Sequence, residues 1–167
     1  LLQTEDTHQS RDKWSYILLV EELRRASAEA ASDAQELFRR MCFNALISNN
    51  DDHPRNHALL AKGADWRLSP AYDLTPAPQI SQERRDLALV CGDQGRIANA
   101  QNILSQSARF LLKEDQASLV VQEMVKQVST GWYSTMRAAG VSERDCEILK
   151  DAFVYSGFMG QDQQDSE

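Results

Sequence analysis

No apolar run in these 167 residues approaches the roughly 20 that span a bilayer, and the amino terminus lacks the basic-then-apolar layout of a secretory signal. The sequence therefore offers no membrane segment, and a cytoplasmic setting is the simplest expectation. Basic residues are the minority: 18 Lys and Arg against 25 Asp and Glu give a formal charge of −7. The chain as a whole thus has no electrostatic footprint for direct nucleic-acid contact, and any phosphate chemistry needs cations brought in locally. Cys42, Cys91 and Cys146 are odd in number, far apart and never in C-x-x-C spacing. That pattern encodes neither a disulfide framework nor a zinc site, so they read as ordinary core or near-surface thiols. An internal repeat is absent too, as is an opening methionine; a start on Leu1-Leu2-Gln3 reads as a fragment cut from a longer polypeptide. What is present, 42% hydrophobic and 26% charged residues, suits one soluble domain with a core.

Residues 14–30 set Trp14, Ile17, Leu18 and Leu23 between charges, the pattern of an amphipathic helix. Ser32 and Asp33 then offer a cap, with Glu36 in the first turn of a second helix over about 34–47. Its stripe is Leu37, Phe38, Met41, Ala45 and Leu46, and Ser48-Asn49-Asn50 stop it. Past a polar loop, residues 57–61 and 66–68 flank a turn at 62–65 as a small hairpin, and Pro70, Pro76 and Pro78 leave 69–79 extended. Residues 86–90 read as a short strand before a turn at Gly92 and Gly95. Helices are expected over 99–112, 115–139 and 142–155, with Gly140 stopping the middle one. Trp14, Trp132, Tyr133, Phe153 and Tyr155 fall on helical stripes and are expected in the core, whereas Arg24-Arg25, Arg39-Arg40 and Arg84-Arg85 read as solvated faces. The fold class is mainly α with a small inserted β-hairpin, one domain over 1–160 followed by a flexible polar tail at 161–167.

The polar loop carries the chemistry. Asp51 and Asn56 stand in the spacing D-x-x-x-x-N between a helix and a strand, the spacing of protein-kinase catalytic loops, where the Asp accepts the hydroxyl proton or orients the nucleophile and the Asn coordinates magnesium. Beyond the hairpin comes Tyr72-Asp73, an aspartate in an extended segment where a kinase keeps a second metal-binding carboxylate. ATP brings several negative charges, and oxygens from Asn56 and Asp73 would hold Mg2+ against them. His53 and Arg55 add hydrogen-bond donors beside the base, although His53 could equally brace the backbone. Asp51, Asp52 and Asp73 taken singly are ordinary turn-capping acids, and it is the ordered constellation that argues otherwise. Asp52 reads as structural or as a neighbour of the site because only Asp51 has the spacing to Asn56, and His57 reads as a packed or solvent-edge residue rather than a ligand. No H-E-x-x-H pair supports a metal-dependent hydrolase.

The stretches SNNDDHPRNHALL and WRLSPAYDLTP resemble the catalytic core of the HipA toxin kinases, whose D-x-H-x-x-N loop and later Y-D pair are matched by Asp51, His53, Asn56, Tyr72 and Asp73 in order. The opening residues 3–9 also resemble the segment before the first large helix in that family. The resemblance implies a kinase-like helical C-terminal lobe using ATP and Mg2+ to phosphorylate serine or threonine of a protein substrate, in some members an aminoacyl-tRNA synthetase. It implies Asp51 as catalytic base, Asn56 and Asp73 as metal ligands, and His53, Arg55, Asn56, Tyr72 and Asp73 as nucleotide neighbours. A DNA-binding antitoxin is an implied partner.

The chain departs from a whole kinase in having no glycine-rich nucleotide loop and no strand lysine paired with a helix glutamate. Alone it is therefore expected to transfer phosphate poorly or not at all. Two other classes compete: a degenerate kinase-like module that holds a nucleotide or protein without catalysis, and a helical interaction domain indifferent to magnesium. A small-molecule acceptor stays open by spacing alone.

Overall fold

The computed structural model describes residues 13–78 and 81–160. Its elements are helices α1 (Tyr16–Ala26) and α2 (Ala30–Leu46), strands β1 (Leu59–Lys62) and β2 (Asp65–Leu68), then α3 (Ala100–Ser105), α4 (Glu114–Ala138) and α5 (Glu143–Leu149). Tight 3₁₀ turns occupy Pro54–Asn56, Ser107–Phe110, Lys150–Ala152 and Ser156–Phe158. The fold is mainly helical with one small antiparallel sheet among the described residues, as expected. No helix among them is long and apolar enough to cross a membrane.

Ser15 caps α1, its Oγ accepting the Ile17 N–H at 3.1 Å. Because the helix starts at Tyr16, the buried face is Tyr16, Leu19, Val20 and Leu23, at helical spacing from that residue. Trp14 is buried but precedes the helix, so the phase read from it was displaced and Leu18 points outward. The expected stripe of α2 is buried throughout, and Phe38 meets Phe110 edge-on at 5.5 Å.

The expected cap at Ser32 and Asp33 is corrected: α2 begins at Ala30, with both residues inside the helix. Asp33 serves tertiary structure instead. Its carboxylate accepts from Ser27 Oγ at 2.6 Å, the Leu68 N–H at 2.8 Å and Arg67 Nη2 at 2.9 Å, pinning β2 to α2. The hairpin has the expected register, Leu59 opposite Leu68 and Lys62 opposite Asp65, turning on Gly63 at φ 66°. No regular element falls between β2 and residue 78, in keeping with the prolines.

Residues 86–90 do not form a strand. Val90 pairs with Ser15 and Asp86 with Ile97, so neighbouring residues engage different segments and no ladder propagates. The expected helix over 99–112 ends at Ser105 and continues only as a 3₁₀ turn, Leu111 leaving it in the left-handed region at φ 59°. The last helix is likewise shorter than expected, ending at Leu149, because tertiary bonds replace helical ones: the Val154 N–H donates to Leu46 O at 2.8 Å and Ser48 Oγ to Ala152 O at 2.7 Å. α4 matches its expected span, with Gly140 at φ 88° beyond it.

The arginine pairs were not all solvated faces. Arg40 is buried and donates to Ser69 O at 2.6 Å, while buried Arg85 lies 4.7 Å from the Tyr155 ring centre and donates to Ser81 O and Ser48 Oγ. Tyr133 is exposed rather than core, and Trp132 and Phe153 are half-buried and stacked at 4.5 Å. All three cysteines are buried, and burial pushes the Cys42 and Cys91 thiols up to about 12. The expected tail at 161–167 and the segment 3–9 lie outside the described residues.

Candidate active site

The polar loop begins where α2 is made to stop. Ser48 enters the left-handed region at φ 57°, and its hydroxyl is held by Ala152 O and the Arg85 guanidinium. From there the chain alternates between buried anchors and exposed acids. Asn49 is buried, Asp51 is exposed, Asp52 is buried, and Asn56 is buried again in the turn that opens on Pro54.

Asp52 is structural, as the spacing implied. Its Oδ2 accepts from the Tyr16 hydroxyl and lies 3.0 Å from His57 Nε2, while Asn44 Nδ2 donates to the Tyr16 oxygen at 3.0 Å. Burial, and then the Asp52 charge, hold the Tyr16 phenol well above its ordinary value, so it stays a donor. His57 is packed, its ring edge-on to Tyr16 at 5.6 Å. This network ties α1 and α2 to the loop beneath Asp51.

Asp73 takes the left-handed conformation at φ 58°, which aspartate tolerates better than bulkier residues do. Tyr72 donates its hydroxyl to Arg55 O at 2.5 Å, fastening this segment to the polar loop. Asp51 and Asp73, remote in sequence, border one cavity of about 120 Å³ together with Asn49, Asn50 and Thr75. On its other side Asp51 borders a second cavity, about 310 Å³, shared with His53, Arg55, Arg96 and Trp14. Neither the Asp51 nor the Asp73 carboxylate is engaged by an ion pair among the described residues. The second cavity thus gathers His53, Arg55 and Arg96 beside the Asp51 carboxylate.

The structure therefore brings Asp51 together with Asp73 in one cavity and with His53 and Arg55 in the other. Asn56 and Tyr72 border neither. Asn56 lies in the loop wall, and its Nδ2, like His53 Nδ1, is buried without a hydrogen-bond partner. Sequence reasoning missed Asn49 and Asn50, which read only as helix stops, and Trp14 and Arg96, which no local motif marks. A third cavity of about 380 Å³, under Leu74 and Pro76 and against Trp132 and Phe153, is lined by no ionisable side chain and is not where acid–base chemistry sits.

Among the described residues no group of three or more His, Cys, Asp or Glu side chains is arranged to cage a metal ion. That arrangement still fits magnesium, which keeps waters and takes one or two protein oxygens beside substrate phosphates. The Asp73 carboxylate, which borders the smaller cavity beside Asp51, is an oxygen donor of that kind; Asn56 could offer only its Oδ1, since its unpartnered Nδ2 is an N–H donor.

Comparisons place these observations in a family. The model of the HipA-like C-terminal domain matches residues 1–132. No curated protein matches the chain. Among solved structures it is similar to HipA of Shewanella oneidensis MR-1, solved as a toxin–antitoxin complex with HipB and its operator DNA, at a TM-score of 0.65 and 14% identity. The match covers 89% of this chain and 36% of that one, so the chain spans about a third of the neighbour's length. At that identity the likeness is one of fold.

Proposed function

The chain belongs to the HipA-like C-terminal domain family, and on that premise we propose that it supplies the catalytic and metal-binding half of a kinase that transfers phosphate from ATP to serine or threonine of a protein substrate. The observation that carries this is Asp51, exposed, engaged by no ion pair among the described residues, and bordering one cavity with Asp73 and a second with His53, Arg55 and Arg96. A base for phosphoryl transfer needs that double exposure, to the transferring phosphate on one side and to the acceptor hydroxyl on the other.

In this reading Asp51 accepts the proton of the acceptor hydroxyl as its oxygen attacks the γ-phosphorus and the bond to the ADP leaving oxygen breaks. Asp73 and Asn56 would hold Mg2+, which when bound offsets the charge of the phosphates. His53 and Arg55 donate hydrogen bonds to phosphate oxygens, and Tyr72 keeps Asp73 in register with the loop through Arg55 O. The nucleotide clamp of a kinase needs a glycine-rich loop and a strand lysine paired with a helix glutamate, a combination that no motif in these 167 residues supplies, so on this reading turnover needs a longer chain. An aminoacyl-tRNA synthetase as substrate and a DNA-binding antitoxin as partner are part of the same proposal. The net charge of −7 favours contact with DNA through such a partner rather than by this domain.

The test is phosphate transfer from Mg·ATP by an amino-terminally extended chain, beside its Asp51→Asn variant and the 167-residue chain alone. Transfer by the extended chain only, reduced about 10²-fold or more in Asp51→Asn with nucleotide binding retained, is the expected result. Asp73→Ala should abolish metal-dependent nucleotide binding. Nucleotide binding by the extended chain without any transfer would favour the binding-module alternative.

A further inference from the structure

We infer that Asn49 is the positioning residue that sets Asp51 and Asp73 against each other, an inference resting on the phosphoryl-transfer reading. The Asn49 side chain touches both residues through their backbones and leaves both carboxylates free. Its Oδ1 accepts the Asp51 N–H at 3.3 Å, and its Nδ2 donates to Asn44 Oδ1 at 3.0 Å and to Asp73 O at 3.4 Å.

The orientation of this amide is fixed by a directional chain. The Asp52 carboxylate only accepts, so the Tyr16 hydroxyl must donate to it. The Tyr16 oxygen then accepts from Asn44 Nδ2, which turns Asn44 Oδ1 toward Asn49, and that oxygen receives only the NH2 side of the Asn49 amide. A flipped Asn49 would face Asn44 oxygen to oxygen and lose its bonds to both Asp51 and Asp73. The polarity set at Asp52, beneath the loop, is thus carried to the carbonyl of Asp73.

Stopping α2 does not require this side chain. The backbone bond from the Asn49 N–H to Asn44 O, 2.8 Å, is available to any residue, and the left-handed turn belongs to Ser48. What the amide adds is a tether on Asp73, a non-glycine residue at φ 58° whose backbone conformation needs outside support. Without it the Asp73 carboxylate has more orientations to lose when it binds a cation.

The experiment measures Mn2+ affinity by electron paramagnetic resonance in the presence of a non-hydrolysable ATP analogue, on the full-length protein that contains this chain. Asn49→Ala should weaken Mn2+ binding about tenfold, the size of effect seen when a partner behind a metal ligand is lost. It should lower phosphate transfer in parallel while the KM for ATP moves less than about threefold. Tyr16→Phe, which touches neither Asp51 nor Asp73 but removes the hydroxyl that orients Asn44, should weaken Mn2+ binding in the same direction by about threefold. Val121→Ala, in the buried face of α4, should lower the melting temperature and leave Mn2+ affinity unchanged. Mn2+ affinity within about twofold of wild type in Asn49→Ala would overturn the inference; if that variant does not fold, the same result in Tyr16→Phe overturns it. Asp51→Asn is measured alongside. Loss of transfer there, with wild-type Mn2+ binding intact, keeps the phosphoryl-transfer reading standing whichever way Asn49 behaves. A wild type that binds no Mn2+ overturns both.

Discussion

Replacing Asp33 with alanine tests whether the hairpin is held onto the helices by one buried carboxylate. Asp33 Oδ2 accepts the Leu68 N–H at 2.8 Å and the Ser27 hydroxyl at 2.6 Å, and the Arg67 guanidinium closes on both oxygens. Truncation leaves a part-buried backbone N–H without its acceptor, which costs about 1 to 2 kcal/mol, and removes a hydroxyl bond worth about 1 kcal/mol. Arg67 is partly exposed and retains Glu29 at 2.6 Å, so it adds little. The expected loss is about 2 to 3 kcal/mol, or about 5 to 10 °C in melting temperature for a chain of this size. Asp33→Asn, which keeps one acceptor oxygen, should lose about half as much.

The pH dependence follows from the same contacts. Burial pushes the Asp33 carboxyl up, but its bonds from Arg67, Ser27 and the Leu68 N–H outweigh burial and hold it below the ordinary carboxylate value. A group depressed in the folded state stabilises above its unfolded pKa, about 3.9, and that stability is lost as pH falls through the lower folded value. The gap between wild type and Asp33→Ala in urea denaturation should therefore be full at pH 7 and shrink below about pH 4. A gap unchanged at pH 3, or a melting temperature lowered by less than about 2 °C at pH 7, would refute the clamp.

Arg85→Lys should fail to rescue Arg85→Ala, each losing about 2 to 3 kcal/mol in urea denaturation, because an ammonium cannot bond Ser81 O and Ser48 Oγ while lying over the Tyr155 ring. Stability equal to wild type in the lysine variant would show that charge alone suffices. The Tyr16 phenol, raised by burial and by Asp52, should stay neutral in the folded protein past about pH 10. Its share of the stability is then present below that pH and lost above it, and Tyr16→Phe should leave the 295 nm titration of the native protein unchanged up to unfolding. A missing step near pH 10 in that variant would contradict this. With thiols at about 12, Cys42 and Cys91 should ignore Ellman's reagent in the native state and react in guanidinium; prompt native labelling of either would mean its cover is loose.

The stripe of α2 was legible because all five apolar positions share one helical phase, and the hairpin because Gly63 marks its turn. α1 was partly misread: Trp14 looks like the first residue of its stripe but belongs to the segment paired with Val90, so Leu18 was counted inward. Asp33 reads locally as a cap, and only the Ser27, Arg67 and Leu68 contacts reveal its use. In the same way the break after Leu149 is made by Leu46 and Ser48, a distance along the chain over which no local pattern operates. The site shows the same division. Asp51, Asn56 and Asp73 stand out by spacing, whereas Asn49 hides as a helix stop, and Trp14 and Arg96 join the cavity from remote segments.

The bonds that fasten residues 152 and 154 to the end of α2 also impose an order of events. Ser48, the residue that aims the polar loop, is held by Ala152 and by Arg85, and Leu46 by Val154. A ribosome that has released only α1, α2 and the hairpin has delivered every acid of the loop without the latch that sets its course. On that account the loop becomes ordered only when the last described turns have left the exit tunnel, and synthesis itself delays the moment at which this half of the site is complete.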